Sequence, residues 1–210
     1  MLRLTTNLIN FSKANVYSSS LRISEHELNT YMEGICHAFY SYAEAKQIKL
    51  DYKSNFEYQN VWFDKEKMDS ITKNLISNAI KYTPAHGEVH IIICHDKDNW
   101  SLEITDTGIG IPAKEQKKLF KLHFRGSNAI NAKITGSGIG LMLVWKLVRI
   151  HKGKISIESV ENKGTRVKVI FPQKQFRNQQ VPTETVQQEN VAPVSPSAVS
   201  VSYTHLRAHE

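Results

Sequence analysis

The run Asn74-Leu75-Ile76-Ser77-Asn78-Ala79-Ile80-Lys81-Tyr82-Thr83-Pro84 carries two patterns at once. Asn74, Asn78, Lys81 and Tyr82 stand at i, i+4, i+7 and i+8, so a helix gathers them into one arc. Met68, Ile71, Leu75 and Ala79 fall on the adjoining arc and supply a face to bury. Asp64 stands where a carboxylate can cap the start of such a helix. An asparagine carbonyl is a hard, neutral oxygen. It suits a Mg²⁺ that keeps several waters and takes its other ligands from substrate phosphates. Lys81 adds a positive charge within reach of those phosphates, and Tyr82 a flat surface for a base. Taken alone, the same residues also describe the solvated face of an ordinary amphipathic helix.

Two further phrases shift that balance. The strand-like run Trp100 to Thr105 leads into Asp106-Thr107-Gly108-Ile109-Gly110-Ile111-Pro112. A carboxylate delivered there can accept the hydrogen bond of an adenine amino group, which guanine does not offer at that position. Glycines beside it let backbone approach the ring. By itself this phrase is also an ordinary turn. Further on, Gly136-Ser137-Gly138-Ile139-Gly140-Leu141 precedes an apolar helix reaching about His151. Backbone N–H groups at a helix start bind anions. The dinucleotide pattern does not apply, because these glycines alternate and no strand leads into them. No Gly-Lys-Ser/Thr follows either, which excludes a Walker-type phosphate loop. Between Pro112 and Gly136 the chain is polar and basic. Its Lys114, Lys117, Lys118, Lys121, Arg125 and Lys133 form a solvated face or meet phosphate, with Arg125 the first candidate.

In this order and spacing the three phrases resemble the N, G1 and G2 boxes of the sensor histidine kinase ATP-binding domain, whose superfamily also holds gyrase B and MutL. The resemblance covers roughly residues 15–172. It implies a Bergerat-type fold, with ATP and Mg²⁺ as ligands and Asn78 as the metal ligand. Asn74, Lys81 and Tyr82 then line the nucleotide, and the second phrase contributes Asp106, Gly108, Gly110 and Ile111. The third contributes Gly136, Ser137, Gly138, Gly140 and Leu141. Phe120 and Arg125 come from the stretch after Pro112, which in this family is the ATP lid, and Thr165 from the closing hairpin. The family's F box, roughly Phe-x-x-Phe, is matched at Phe120, but its second position is His123, with Phe124 next. That departure bears on lid docking or on contact with a helical partner domain.

The rest of the chain fits one domain with tails. Its 210 residues are 40% hydrophobic, and no apolar run approaches membrane-spanning length. Cys36 and Cys94 stand far apart without metal-ligand spacing, and no signal-peptide pattern is visible, so a reducing cytoplasm is expected. The net charge of +7 comes from dispersed lysines without interleaved aromatics, which points away from nucleic acid. Leu4, Leu8 and Phe11 have helical spacing, so residues 1–14 read as the end of a dimerisation helix or as a short capping helix. Ser24-Glu25-His26-Glu27 reads as a capping box opening a helix to about Ala45. Ile48 to Lys53 alternates as a strand. Glu88 to His95 and Trp100 to Thr105 form a hairpin, and Lys154–Ser159 and Thr165–Phe171 form two more strands. These elements predict an α/β fold, a two-layer sandwich whose mixed sheet is covered by helices on one face. From Gln173 to 210 the composition turns to Gln, Pro, Val, Ser and Thr, a disordered linker or tail whose last eight residues share no pattern with the rest.

The resemblance further implies a catalytic domain that donates the γ-phosphoryl group of ATP to a histidine on a dimerisation domain of the same or a homologous kinase. A receiver domain follows indirectly, and the whole parent is expected to be membrane-anchored although this part makes no membrane contact. His26-Glu27-Leu28-Asn29-Thr30-Tyr31 resembles the phosphoacceptor phrase His-Glu-x-x-Thr-Pro, but Tyr31 replaces the proline and too little chain separates it from Asn74. The acceptor is therefore expected elsewhere. Two other functions stay open: a nucleotide-binding module that no longer transfers phosphate, for which His123 is the hint, and a clamp ATPase. The clamp needs a glutamate base on the asparagine helix, whereas the turn here is Ser70-Ile71-Thr72-Lys73-Asn74.

Overall fold

The computed structural model describes residues 20–121, 123–131, 134 and 136–177. Residues 1–14, the tail beyond 177, and Lys133 and Thr135 of the lid lie outside these. Strand β1 (Ile23–Glu27) is followed by helix α1 (Leu28–Ala45), β2 (Lys49–Ser54) and β3 (Asn60–Asp64). Helix α2 (Lys65–Tyr82) leads to the hairpin of β4 (Glu88–His95) and β5 (Asn99–Asp106). Two short helices, α3 (Ala113–Gln116) and α4 (Ser127–Asn131), precede α5 (Gly140–Ile150). A second hairpin, β6 (Lys154–Val160) and β7 (Gly164–Pro172), ends in the short α6 (Lys174–Arg177).

Strands β2-β4-β5-β7-β6 form one sheet in that order, with β2 parallel to β4 and every other pair antiparallel. Every second residue of β4 and β5 is buried: Val89, Ile91 and Ile93, then Trp100, Leu102, Ile104 and Asp106. Their neighbours remain half-exposed, because helices cover only one face. Against that face pack Met32, Ile35 and Cys36 of α1, Met68, Ile71, Leu75 and Ile76 of α2, and Val144, Leu147 and Val148 of α5. The two-layer mixed α/β architecture read from the sequence is the one observed.

Three local readings change. Residues 23–27 are not a capping box: they pair antiparallel with β3, a strand that the sequence reading omitted. Pairing consumes their backbone groups, so the helix begins later and Glu27 caps it, accepting from the N–H groups of Asn29 and Thr30 at 3.1 and 2.5 Å. His26 accordingly lies in a strand, its ring stacked on Phe63 at 4.6 Å. Finally, packed structure continues past the composition change at Gln173. Gln173 and Phe176 are buried, and the Gln173 Oε1 accepts the Trp62 N–H at 3.0 Å.

The start of α2 sits in a buried polar cluster. Asp64 caps it through the Lys67 N–H at 3.1 Å and pairs with the Lys67 ammonium at 2.6 Å. The same carboxylate accepts the Arg22 N–H at 2.9 Å, and the Asp64 N–H donates to His151 Nε2 at 3.3 Å. His151 Nδ1 lies 2.9 Å from the Leu147 carbonyl, and burial lowers the imidazole pKa, so the ring is neutral with its proton on Nδ1.

Candidate functional site

A cavity of about 340 Å³ opens between the C-terminal half of α2, the sheet and the segment 111–141. The asparagine helix contributes Asn74, Asn78, Lys81 and Tyr82 to its wall. Asp106, Gly110 and Ile111 line it from the end of β5, and Thr165 from β7. Arg125 lines it from the lid, and Gly136, Ser137, Gly138, Gly140 and Leu141 from the glycine loop. Two residues named from the sequence do not line it. Gly108 lies behind the wall, where a Cβ would stand 2.5 Å from the Tyr82 carbonyl oxygen. Phe120 turns away and packs on Trp145 with ring centroids 6.4 Å apart, and Phe124 lines the cavity in its place.

Asp106 is 8% exposed. One carboxylate oxygen, Oδ1, accepts the N–H of Gly108 at 2.9 Å and of Thr165 at 3.2 Å. Among the described residues nothing donates to the other. Burial pushes its pKa up to about 6, only partly offset by those two N–H donors. Antiparallel pairing of β5 with β7 sets Asp106 opposite Thr165, so the site register is the sheet register. Gly110 follows at φ +60°, and a Cβ there would overlap the Val160 carbonyl.

At the other end the character reverses. Burial holds the Lys81 ammonium below its usual pKa, and Arg125 and Lys46 push the same way. The Lys81 Nζ sits 4.8 Å from the Tyr82 ring centroid. Arg125 donates through Nη2 to the Ile134 carbonyl, while its Nε is buried with no hydrogen-bond partner among the described residues. The Asn78 amide likewise makes no hydrogen bond among the described residues, whereas Asn74 Nδ2 donates to Ser70 O at 2.7 Å. The glycine loop lies directly on this helix. A Cβ at Gly140 would stand 2.6 Å from Asn74 Oδ1, and one at Gly136 would stand 2.5 Å from Lys81 Nζ.

Two crowded cations with an orphaned guanidinium N–H fit a polyanion. An unpartnered amide beside them fits a hard cation bridging to it. A half-satisfied carboxylate at the opposite end fits a base carrying an amino group. The lid closes the space with side chains that the motifs do not include. Asn128 Nδ2 donates to the carbonyls of Ile109 and Gly110 at 3.2 and 2.9 Å, and Gln116 Nε2 to those of Ile111 and Ser159 at 3.1 and 2.7 Å. Glu115 accepts the Ser127 N–H at 3.0 Å. Ile104, Ile157 and Val167 make an apolar inner wall, invisible in the motifs but given by strand alternation.

The model of the family described as histidine kinase-, DNA gyrase B- and HSP90-like ATPases matches residues 63–175, just over half of the chain. The chain belongs to that family. Within it, this ATPase-family domain is similar to histidine kinases. It is 30% identical over 172 residues to the circadian input-output histidine kinase CikA of Synechocystis, covering 81% of this chain and 23% of that protein. It is 28% identical over 179 residues to the sensor histidine kinase WalK of Bacillus subtilis, covering 83% of this chain and 29% of that one. The chain thus spans under a third of these relatives' length. Among solved structures, the nucleotide-free catalytic domain of histidine kinase ThkA superposes with a TM-score of 0.64 at 24% identity, covering 72% of this chain and 98% of that one. Full-length ShkA in complex with AMPPNP gives 0.71 at 18% identity, covering 82% and 35%. These two likenesses establish the fold.

Proposed function

We propose that this domain is the ATP-binding catalytic part of a sensor histidine kinase, holding Mg-ATP and presenting its γ-phosphoryl group to a histidine on a separate dimerisation domain. The observation that carries the reading is the polarity of one cavity: a buried carboxylate at one end, and at the other a glycine loop and two cations that form no ion pair among the described residues. Asp106 takes the adenine amino group, and Ile111 and the apolar wall take the ring. Lys81, Arg125 and the Gly136–Gly140 backbone face the phosphates. Asn78 would hold Mg²⁺ through its carbonyl, and the ion would supply neutralisation of phosphate charge.

Phosphoryl transfer of this kind is positioning and charge stabilisation, so the domain needs no nucleophile of its own. None is proposed: His26 lies in β1 against Phe63, without the helical setting of an acceptor. The absence of a glutamate between Ser70 and Asn74 speaks against the clamp ATPase. The partners that follow are a dimerisation and phosphoacceptor domain and, through it, a response-regulator receiver, all on the cytoplasmic side. No helix among the described residues is long and apolar enough to cross a membrane.

The test is incubation with labelled ATP, alone and with a dimerisation domain from a homologous kinase, read by mass spectrometry of both components. Acid-labile phosphate on the added domain and none on this chain is the expected result. Phosphate on His26, or tight ATP binding without transfer to any acceptor, would refute it.

A further inference from the structure

We infer that Lys46, just after α1, is a positioning residue for the cavity: its ammonium fixes the last turn of α2 and, through that turn, the loop that carries Asp106. The geometry stands by itself, while its consequence for ligand binding rests on the nucleotide reading above.

The last carbonyls of a helix have no partner within the helix. Many helices close that end with a glycine in the left-handed region. Helix α2 does not. Its cap, Thr83, is extended at φ −90° and ψ 129°, and Pro84 follows. The orphaned carbonyls are met from outside instead. Lys46 Nζ donates to Ile80 O at 2.6 Å, and to Lys81 O and Thr83 O at 3.2 Å each. An ammonium has three donors, and all three are used. Thr83 Oγ1 takes Ala79 O at 2.7 Å. The one carbonyl left, Tyr82 O, accepts the Ile109 N–H at 3.1 Å.

That last bond joins the helix end to the Asp106 loop. Gly108, whose N–H holds Asp106 Oδ1, passes so near the same Tyr82 carbonyl that a Cβ there would stand 2.5 Å from its oxygen. Lys46 therefore holds the peptides on either side of the Tyr82–Thr83 peptide, whose carbonyl meets the loop. Its own position is secured: its N–H bonds Ala43 O at 3.0 Å, and Gln47, next to it, accepts the His86 N–H at 2.8 Å. A cation is also the favoured charge at the negative end of a helix. Two roles are separable from positioning. One is pure stability, and the other is a through-space charge acting on phosphate.

The experiment compares Lys46→Met, Lys46→Arg and, as an exposed-lysine control, Lys97→Met. For each, binding of ATP, ADP and adenosine is titrated with Mg²⁺ well below the melting temperature. Amide hydrogen exchange at Ile109 is followed without ligand. Lys46→Met is expected to weaken all three ligands alike, by about tenfold, since a displaced binding group costs up to ~100-fold. Exchange at Ile109 accelerates, and Lys46→Arg, which keeps charge and donors, recovers most of both. Unchanged affinity with only a lowered melting temperature overturns the inference in favour of a stabilising role. A loss that grows with phosphate number overturns it in favour of charge. Unaltered exchange at Ile109 overturns it whether or not nucleotide binds, so a protein that takes no adenine nucleotide fails the functional reading and leaves Lys46 to be decided by exchange. Should Lys46→Met not fold, Lys46→Gln, with fewer donors and no charge, carries the same comparison.

Discussion

The cavity has two walls built on different principles. The floor is α2 with β5 and β7, where backbone pairing and a buried core fix every position: Asp106 lines the cavity opposite Thr165 because β5 pairs with β7 in one register. The cover, residues 113–139, is fastened by a few side-chain-to-backbone bonds from Gln116 and Asn128 to the 109–111 loop and to Ser159 of β6, while Arg125 ties the cover to itself at Ile134. Among α3 and α4, only Ala129 is buried. Each such bond is worth about 1 kcal/mol. Recognition is therefore written in the part that does not yield, and access in the part that does.

The hardest blow to the floor is Gly110→Ala. The new Cβ would overlap the Val160 carbonyl at a positive φ, so a loss of ~3 kcal/mol of folding stability is expected from strain and overpacking together. Urea denaturation reads it, and an unchanged midpoint would show that the floor yields after all. Next comes Asp106→Asn. Losing a hydrogen bond to a buried carboxylate costs about 1.5–3 kcal/mol of ATP binding. Preference for adenine over guanine should collapse with it, and a titration showing equal ATP and GTP affinity in the unmodified protein would break the assignment.

A change of pH tests the same carboxylate without mutation. Its pKa is raised from 3.8 to about 6, so the folded form holds its proton more tightly than the unfolded chain. Its contribution to stability is full below pH 3.8 and is lost as pH rises through 6. Compared with Asp106→Asn, the unmodified apo protein should thus lose stability across that window. Ligand binding runs the other way, because the adenine amino group needs the ionised acceptor. Affinity should fall about tenfold from pH 7 to pH 5, with proton release on binding seen by calorimetry in two buffers. A flat profile would remove Asp106 from the contact.

The smallest effect belongs to the cover. Asn128→Ala should cost about 1 kcal/mol or less of apo stability. Amides of 113–131 should exchange fast without nucleotide and slow with a non-hydrolysable ATP analogue. Slow exchange in the apo protein would erase the contrast between the walls.

What was legible in the chain follows the same division. The asparagine helix announces itself because Asn74, Asn78, Lys81 and Tyr82 keep helical spacing over a buried stripe, and both hairpins because their apolar residues alternate. The β1–β3 pair was hidden, since it joins residues 33 to 41 positions apart and Ser24 with Glu27 reads as a local capping box. Lys46 was hidden for the same reason: a helix end met from across the fold leaves no mark beside it. Phe120 was misplaced because aromatic spacing says nothing of which side a lid residue faces. Asn128 offers an ordinary polar letter in a polar stretch.

The buried cluster at Asp64 has a mechanical meaning. The incoming segment hangs on it through Arg22, and the outgoing one docks beside it, with Gln173 on Trp62 and the Phe176 ring 6.5 Å from that of His151. Both attachments sit at the first turn of α2, while the cavity is at its last. Tension applied through the two flanking segments reaches β3 at Asp64 and Trp62 and the β4–β5 turn at Asp98, which accepts the Gln173 N–H at 2.9 Å and pairs with the Lys174 ammonium at 2.7 Å. The domain is gripped at the end away from the cavity, and α2 is the shaft from that grip to the cavity.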